Sequence, residues 1–310
     1  MTELPTSHAL GLIGGGRWGR IYMNTLHSHP RAHLAHLVST NSENRAFVPD
    51  DCLITDHWQN LIENKTIQGV IIATPPQNHF DIASAFIKSN IPVLIEKPLT
   101  MDLGEATELL KLADVHKTTI MVDHIHVYSP AFQTLMACAK DLGPVRRIEA
   151  EAGNAGPLRE NISVLWDWAP HDLAMCYQLI PDMPELSSAQ ILETTANNNG
   201  IGQSIRLGFK SRDLEINLHF SNIRHDKARC FSVHFDNHSL VYDDLQPDKL
   251  IEWPVNQAIP VPAQKPLDRV IDLFTGAILD HDVSLESLRL GVKVCAGLIA
   301  CDALLNRESN

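Results

Sequence analysis

The sequence predicts a two-part α/β protein: an N-terminal doubly wound parallel sheet, then an α+β domain with a largely antiparallel open sheet. Three observations lead there. The 310 residues exceed the usual length of one domain, and 44% are hydrophobic against 20% charged, enough for each part to bury a core. Through residues 8–123, short apolar runs alternate with segments of helical period, as in repeated βα units. After Asp123, four strand-like segments follow one another with no helix between them, as in an antiparallel sheet.

Each element follows in order. Residues 8–13 are an apolar strand leading into glycines, and residues 17–27 continue at helical spacing. Residues 33–38 read as the second strand. Gly69-Val70-Ile71-Ile72-Ala73 is a β-branched run of the kind buried in parallel sheets. An amphipathic helix over 80–88, a strand over 92–95, a helix over 103–116 and a strand over 118–122 complete the series. Residues 130–142 read as a helix ended by Gly143-Pro144. Strands are expected over 145–152, 201–209, 214–220, 229–235 and 238–242, with a helix over 169–180 and closing helices over 266–279 and 285–305. The domains are expected to be 1–123 and 124–310, with the last helix, about 284–306, packing back on the first domain.

Composition excludes several functions. A formal net charge of −12 disfavours nucleic acid, which needs a basic surface. Met1-Thr2-Glu3-Leu4-Pro5 lacks the basic and apolar regions of a signal peptide, and no apolar run is long enough to span a bilayer. A cytoplasmic protein with no membrane partner is expected. The six cysteines are scattered without a Cys-x-x-Cys pair and read as small apolar residues. Of the sixteen histidines, His27-Ser28-His29 and His124-Ile125-His126 could pair on a metal, but no zinc spacing is present and no metal is expected.

Gly14-Gly15-Gly16-Arg17-Trp18-Gly19 follows a strand and opens a helix. Gly14 permits the tight turn, Gly16 lets a pyrophosphate approach the backbone, and Gly19 lets the helix pack on the sheet. The helix N-terminus offers free N–H groups and partial positive charge to phosphates. This context makes the first domain a Rossmann-type dinucleotide-binding domain. At the end of the second strand, where an acid would bind an NAD ribose, the chain reads Val38-Ser39-Thr40-Asn41. Ser39 and Thr40 leave room for a 2′-phosphate, which Arg45 or Arg17 could pair, so the sequence leans to NADP over NAD. The alternative is that both hydroxyls bind an NAD ribose.

Two more motifs sit just past strands, where open α/β sheets place ligands. One is Ala73-Thr74-Pro75-Pro76-Gln77-Asn78-His79; the other is Ile95-Glu96-Lys97-Pro98. A lysine there can donate a hydrogen bond to a substrate oxygen. His124 and Tyr128 follow the last strand of the series and could touch substrate or nicotinamide.

With these residues in hand, the chain resembles the Gfo/Idh/MocA oxidoreductases. The resemblance runs through Gly14-x-Gly16-x-x-Gly19, Ala73-Thr74-Pro75-Pro76 with His79, Glu96-Lys97-Pro98 and Asp167-x-x-x-His171. It continues in Lys265-Pro266-Leu267 and in the stretch from Leu285 to Gly291. The segment from Asn161 to Asp172 is similar to a subgroup acting on nucleotide-linked or related sugars. The resemblance implies an NAD(P)-dependent sugar dehydrogenase with its active site between two domains, and a homodimer or homotetramer built through the C-terminal sheet. It implies cofactor contacts at the glycine loop, at Ser39, Thr40 and Arg45, at Ala73, Thr74, Pro75 and His79, and at Glu96 and Lys97. It also implies a cis Lys97–Pro98 bond, and chemistry carried by Lys97, Asp167 and His171.

The residue types suit that chemistry. Oxidising a secondary alcohol moves a hydride to the nicotinamide and a proton off the hydroxyl. His171 is read as the general acid/base. Lys97 polarises the reacting oxygen. Asp167 orients His171 or binds a sugar hydroxyl. Pro170 suits only the first turn of a helix, which would put Asp167 at a cap. Trp166 and Trp168 could line a sugar site. Two other readings stay open: a non-catalytic NAD(P)-binding regulator of the same fold, and a redox-assisted glycosidase or lyase.

Overall fold

The computed structural model describes residues 7–156, 158, 162–197 and 200–308. Its backbone divides into two compact units. One runs through His124 and includes Lys265–Cys295; the other comprises Ile125–Gln264 and the residues from Ala296 onward.

The first unit holds β1 (His8–Ile13), α1 (Arg17–Ser28), β2 (Ala32–Val38), β3 (Leu53–Thr55), β4 (Gly69–Ile72), α2 (His79–Lys88), β5 (Val93–Glu96), α3 (Leu103–His116) and β6 (Ile120–Asp123). The strands form one parallel sheet in the order β3-β2-β1-β4-β5-β6. The order reverses direction at β1 and β4, so the ends of these strands form the switch point at which open α/β sheets bind ligands. Every residue of β4, β5 and β6 is buried, which explains why β4 is apolar throughout and β5 and β6 are apolar up to their terminal acids. Asp102 caps α3 by accepting from Glu105 N at 2.9 Å.

The second unit holds α4 (Pro130–Ala139), β7 (Arg147–Ala155), α5 (Val164–Leu179), β8 (Glu185–Asn197), β9 (Gly200–Lys210), β10 (Glu215–Ser221), β11 (Ile223–His234), β12 (Ser239–Asp243), β13 (Leu250–Trp253) and β14 (Gln257–Ala258). Its sheet runs β14-β13-β12-β11-β7-β10-β9-β8 and is antiparallel except for the β7–β10 pair. One face buries Ile148, Leu207, Ile216, Leu218 and Phe220, with α5 laid against it. The opposite face carries Glu149, Glu151, Arg206, Asn217 and His219 around an open concavity of about 520 Å³. The chain then returns through α6 (Pro266–Leu279) and α7 (Glu286–Glu308). Gly291 of α7 packs closely on Leu99 and Val122 in the first unit, while Gly297 packs on Tyr177 in the second.

The sequence reading differs from this fold in three places. It omits β8, because only Ala189 of the thirteen residues is buried and no alternation marks it. It starts α5 five residues late. It also misses β3, β13 and β14, which are too short to show a period.

Candidate active site

The glycine loop is shaped for close approach. Gly14 has φ +108°, and a Cβ there would collide with the Ala73 carbonyl. A Cβ on Gly19 would collide with the Gly14 carbonyl, so this glycine seats α1 on the loop. A Cβ on Gly16 would meet nothing within 4 Å. Among the described residues no side chain caps α1, and its first turn has no acid. An open cradle over uncapped amides fits a dinucleotide diphosphate. Arg17 is exposed beside it and Trp18 half-buried.

The sequence reading missed Asn44. This buried amide donates to Gly15 O at 3.0 Å and Ser39 Oγ at 2.9 Å, and accepts from Arg20 Nε at 3.0 Å. It ties the phosphate loop to the end of β2, where Ser39 is half-buried and Thr40 exposed. Arg45 is assigned differently from the sequence expectation. Its guanidinium donates to Cys52 O at 2.8 Å and to Pro49 O, and lies 3.7 Å from Asp50. It braces its own loop.

His79 also changes role. It is fully buried, with Nδ1 3.0 Å from Pro98 O and Nε2 3.0 Å from Thr74 O. The ring clasps the turn after β4 to the turn after β5 and presents no surface to a cofactor. Burial holds its pKa below the ordinary histidine value. Ala73 and Thr74 are half-buried and Pro75 exposed at the end of β4. The Lys97–Pro98 bond is cis.

Around Lys97, which is 8% exposed, the first unit gathers a polar cluster. Glu96 Oε2 accepts the Lys97 backbone N–H at 3.2 Å. The Tyr22 hydroxyl donates to Asp123 Oδ2. Burial raises the Asp123 carboxyl to about 6, against the opposing pull of Tyr22 and Lys97. Burial and the neighbouring Asp123 charge drive Glu96 well above the carboxylate range. His124 is fully buried and, among the described residues, neither ring nitrogen has a hydrogen-bond partner, so it offers no open face toward a substrate. Burial, then the Lys97 charge, pushes its pKa down to about 3.

In the second unit, Ser163 caps α5 by accepting from Trp166 N at 3.5 Å. Asp167 therefore lies inside the first turn rather than at the cap, and Pro170 sits in the helix interior. Asp167 and His171, four residues apart, share a face. His171 packs edge-on against His126, ring centroids 4.9 Å apart, and His126 Nδ1 lies 3.4 Å from the Tyr242 hydroxyl. His126 is a second residue the sequence reading left out of the site. Next to His171, Asp172 pairs with Arg229 at 3.4 Å in a buried bridge that ties α5 to β11. Trp166, expected at the substrate, is buried in the core of its unit, whereas Trp168 and Tyr128 are half-buried. Asn161 lies outside the described residues. The six cysteines are free. Among the described residues no helix is long and apolar enough to cross a membrane.

Comparison with known proteins agrees with this geometry. Residues 9–124 match the GFO_IDH_MocA family, described as an oxidoreductase family with an NAD-binding Rossmann fold. A crystal structure from Magnetospirillum magnetotacticum MS-1, described as a "putative oxidoreductase", is similar at 34% identity and a TM-score of 0.88, covering 96% of this chain and all of that one. The UDP-N-acetylglucosamine 3-dehydrogenase of Acidithiobacillus ferrooxidans is 29% identical over 177 residues, 53% of this chain and 51% of that protein. The solved structure of that enzyme shares the fold at 23% identity and a TM-score of 0.80, covering 96% of this chain and 97% of that one. The chain spans about half the length of the curated relatives it matches. By the glycine loop, the parallel sheet, the Glu96-Lys97-Pro98 turn and these matches, the chain belongs to the Gfo/Idh/MocA family of oxidoreductases.

Proposed function

We propose that the protein is an NAD(P)-dependent dehydrogenase that transfers a hydride between the nicotinamide and a hydroxyl or keto carbon of a sugar, polyol or nucleotide-sugar. The observation that carries this reading is Lys97, held 8% exposed at a strand end among two buried carboxyls and a neutral histidine. Similarity to a UDP-N-acetylglucosamine 3-dehydrogenase and to inositol 2-dehydrogenases supports the substrate class.

The bound nicotinamide supplies the hydride acceptor or donor. Lys97 hydrogen-bonds the reacting oxygen and stabilises developing alkoxide charge, which is worth most in a water-poor site. His171 takes or returns the hydroxyl proton. Asp167, one turn before it, orients the imidazole or holds an adjacent sugar hydroxyl. NADP is the preferred form, with Ser39 and Thr40 in place of an acid and Arg17 as the guanidinium. Copies pair through the polar face of the second sheet into a homodimer or homotetramer, an assembly that sedimentation would measure.

The test is turnover over a sugar and nucleotide-sugar panel, with fluorescence titration of NADH against NADPH. Wild type turns over at least one sugar, and Lys97→Ala and His171→Ala lose about 10²–10⁴-fold in kcat while still binding cofactor. Cofactor binding without turnover of any sugar would favour the regulatory reading. Tightly retained cofactor with product but no net reduction would favour a glycosidase or lyase.

A further inference from the structure

Glu96 and Asp123 end β5 and β6 and are partners in the register of that pair. Their side chains leave the same face of the sheet side by side. Tyr22 of α1 closes over them. None of the three is more than 5% exposed. The Tyr22 hydroxyl donates to Asp123 Oδ2 and also acts on Glu96. Glu96 Oε1 and Asp123 Oδ1 have no hydrogen-bond partner among the described residues. Among the described residues, the titratable groups that face the pair are Tyr22 from α1 and Lys97 beside Glu96, and Lys97 is the one cation acting on it. Adjacent His124 feels the same Lys97 charge and stays neutral.

We propose that Glu96, Tyr22 and Asp123 form a buried proton-holding network in which Glu96 is the neutral acid, Asp123 the carboxylate, and Asp123 positions the Lys97 ammonium. Two adjacent carboxyls in a dry site do not both ionise beside a single cation. Asp123 Oδ2 receives the Tyr22 hydrogen bond, which favours its charged form, and Glu96 Oε2 receives the Lys97 backbone amide. Burial and the Asp123 charge then drive the Glu96 carboxyl up, the direction that keeps its proton on at neutral pH. The charges balance: Asp123 is negative, Lys97 positive, and Glu96 and Tyr22 neutral. With the Tyr22 hydroxyl donating to Asp123, its oxygen keeps a lone pair for the Glu96 proton, so the network needs no further proton. Glu96 and Asp123 are positioning residues acting through Lys97.

The link to catalysis rests on the dehydrogenase reading; the protonation state does not. Infrared difference spectra of the full chain at neutral pH test the latter directly. Wild type minus Glu96→Gln should show the carbonyl band of a protonated carboxylic acid, moving in D2O, while Glu96→Gln keeps the carboxylate bands of Asp123. Absence of the band in wild type, or its persistence in Glu96→Gln, overturns the assignment. Dinucleotide fluorescence titration checks that Glu96→Gln and Asp123→Asn are folded. For the link to Lys97, kcat should fall at least about tenfold in Asp123→Asn with little change in the dinucleotide KM, because the ammonium loses the charge that fixes its place. In Glu96→Gln, which mimics the neutral acid, the fall in kcat should be much smaller. Equal losses in both variants would refute the positioning role. A wild type without turnover would sink the dehydrogenase reading and leave the infrared result standing.

Discussion

Acidification from about pH 7.5 to about pH 5 should weaken folding by about 2 kcal/mol at His124 alone. The ring is fully buried and its folded value is held at about 3, against an ordinary 6.5, chiefly by loss of water and then by the Lys97 charge. Only the neutral ring fits the folded site. The unfolded chain takes up a proton below pH 6.5, so the His124 contribution is complete above that value. It falls by about 1.4 kcal/mol per pH unit as the pH drops toward 3. From 6.5 to about 5 that is about 2 kcal/mol. Asp123 pulls the opposite way, because its raised value, about 6, makes ionisation unfavourable above that pH and is relieved on acidification. A difference measurement removes this and every other titrating group. Denaturant unfolding of wild type and His124→Gln, each at both pH values, gives two losses whose difference belongs to His124. The packing change of the substitution is the same at both pH values and drops out. Wild type should lose about 2 kcal/mol more than the variant. Parallel losses in the two proteins would refute the burial argument.

Three further outcomes follow from the geometry. Gly16→Ala should fold with wild-type stability yet bind dinucleotide at least about tenfold more weakly, because its Cβ enters the open cradle, while Gly19→Ala should lose stability by collision with the Gly14 carbonyl. Melting curves with cofactor titration separate the two, and equal stability losses would contradict the assignment. Asn44→Ala should destabilise the first unit by about 1–3 kcal/mol and raise the KM for dinucleotide, because Gly15, Ser39 and Arg20 all lose a partner; an unchanged KM would show that the tether does not shape the loop. Asp123→Asn should gain up to about 3 kcal/mol relative to wild type as pH rises from about 4 to above 6, since a carboxyl raised to about 6 penalises the folded state only once ionised. A stability difference independent of pH would argue against that burial effect.

Much of the first unit is legible in the sequence, because parallel strands buried on both faces must be continuous apolar runs, and Gly69–Ile72 is one. β8 is illegible for the converse reason: Glu185–Asn197 is an edge strand with one buried residue, so no hydrophobic period records it. Pro170 misleads in another way. An interior proline costs a helix about 3 kcal/mol, which argued for a later start. But α5 buries Val164, Leu165 and Trp166 ahead of it and Ala169–Cys176 around it. Two or three fully buried large side chains, at about 1.5–3 kcal/mol each, outweigh the lost hydrogen bond. Tertiary burial therefore placed Asp167 inside the helix.

The site shows what motif spacing carries and what it omits. Spacing along the chain singles out Gly14, Gly16 and Gly19, Lys97, and the Asp167–His171 pair as candidates, since each depends on neighbours a few residues away. The roles expected of Arg45, His79, His124 and Trp166 depended on neighbours across space, and there the chemistry of the residue alone was a poor guide. A guanidinium suits a phosphate, but it also suits backbone carbonyls, and Arg45 donates to those of Cys52 and Pro49. Tyr22 and Asp123 meet across 101 residues, a contact no local pattern announces. One signal was nevertheless present. β5 and β6 each end in an acid, and a doubly wound sheet makes successive strands of this half neighbours. Topology together with the identity of the last residue of each strand places two carboxyls side by side at the ligand-binding end of the sheet. Two such carboxyls beside one lysine require a proton or a second cation, and Tyr22, donating to Asp123, stands where a proton-holding network needs it.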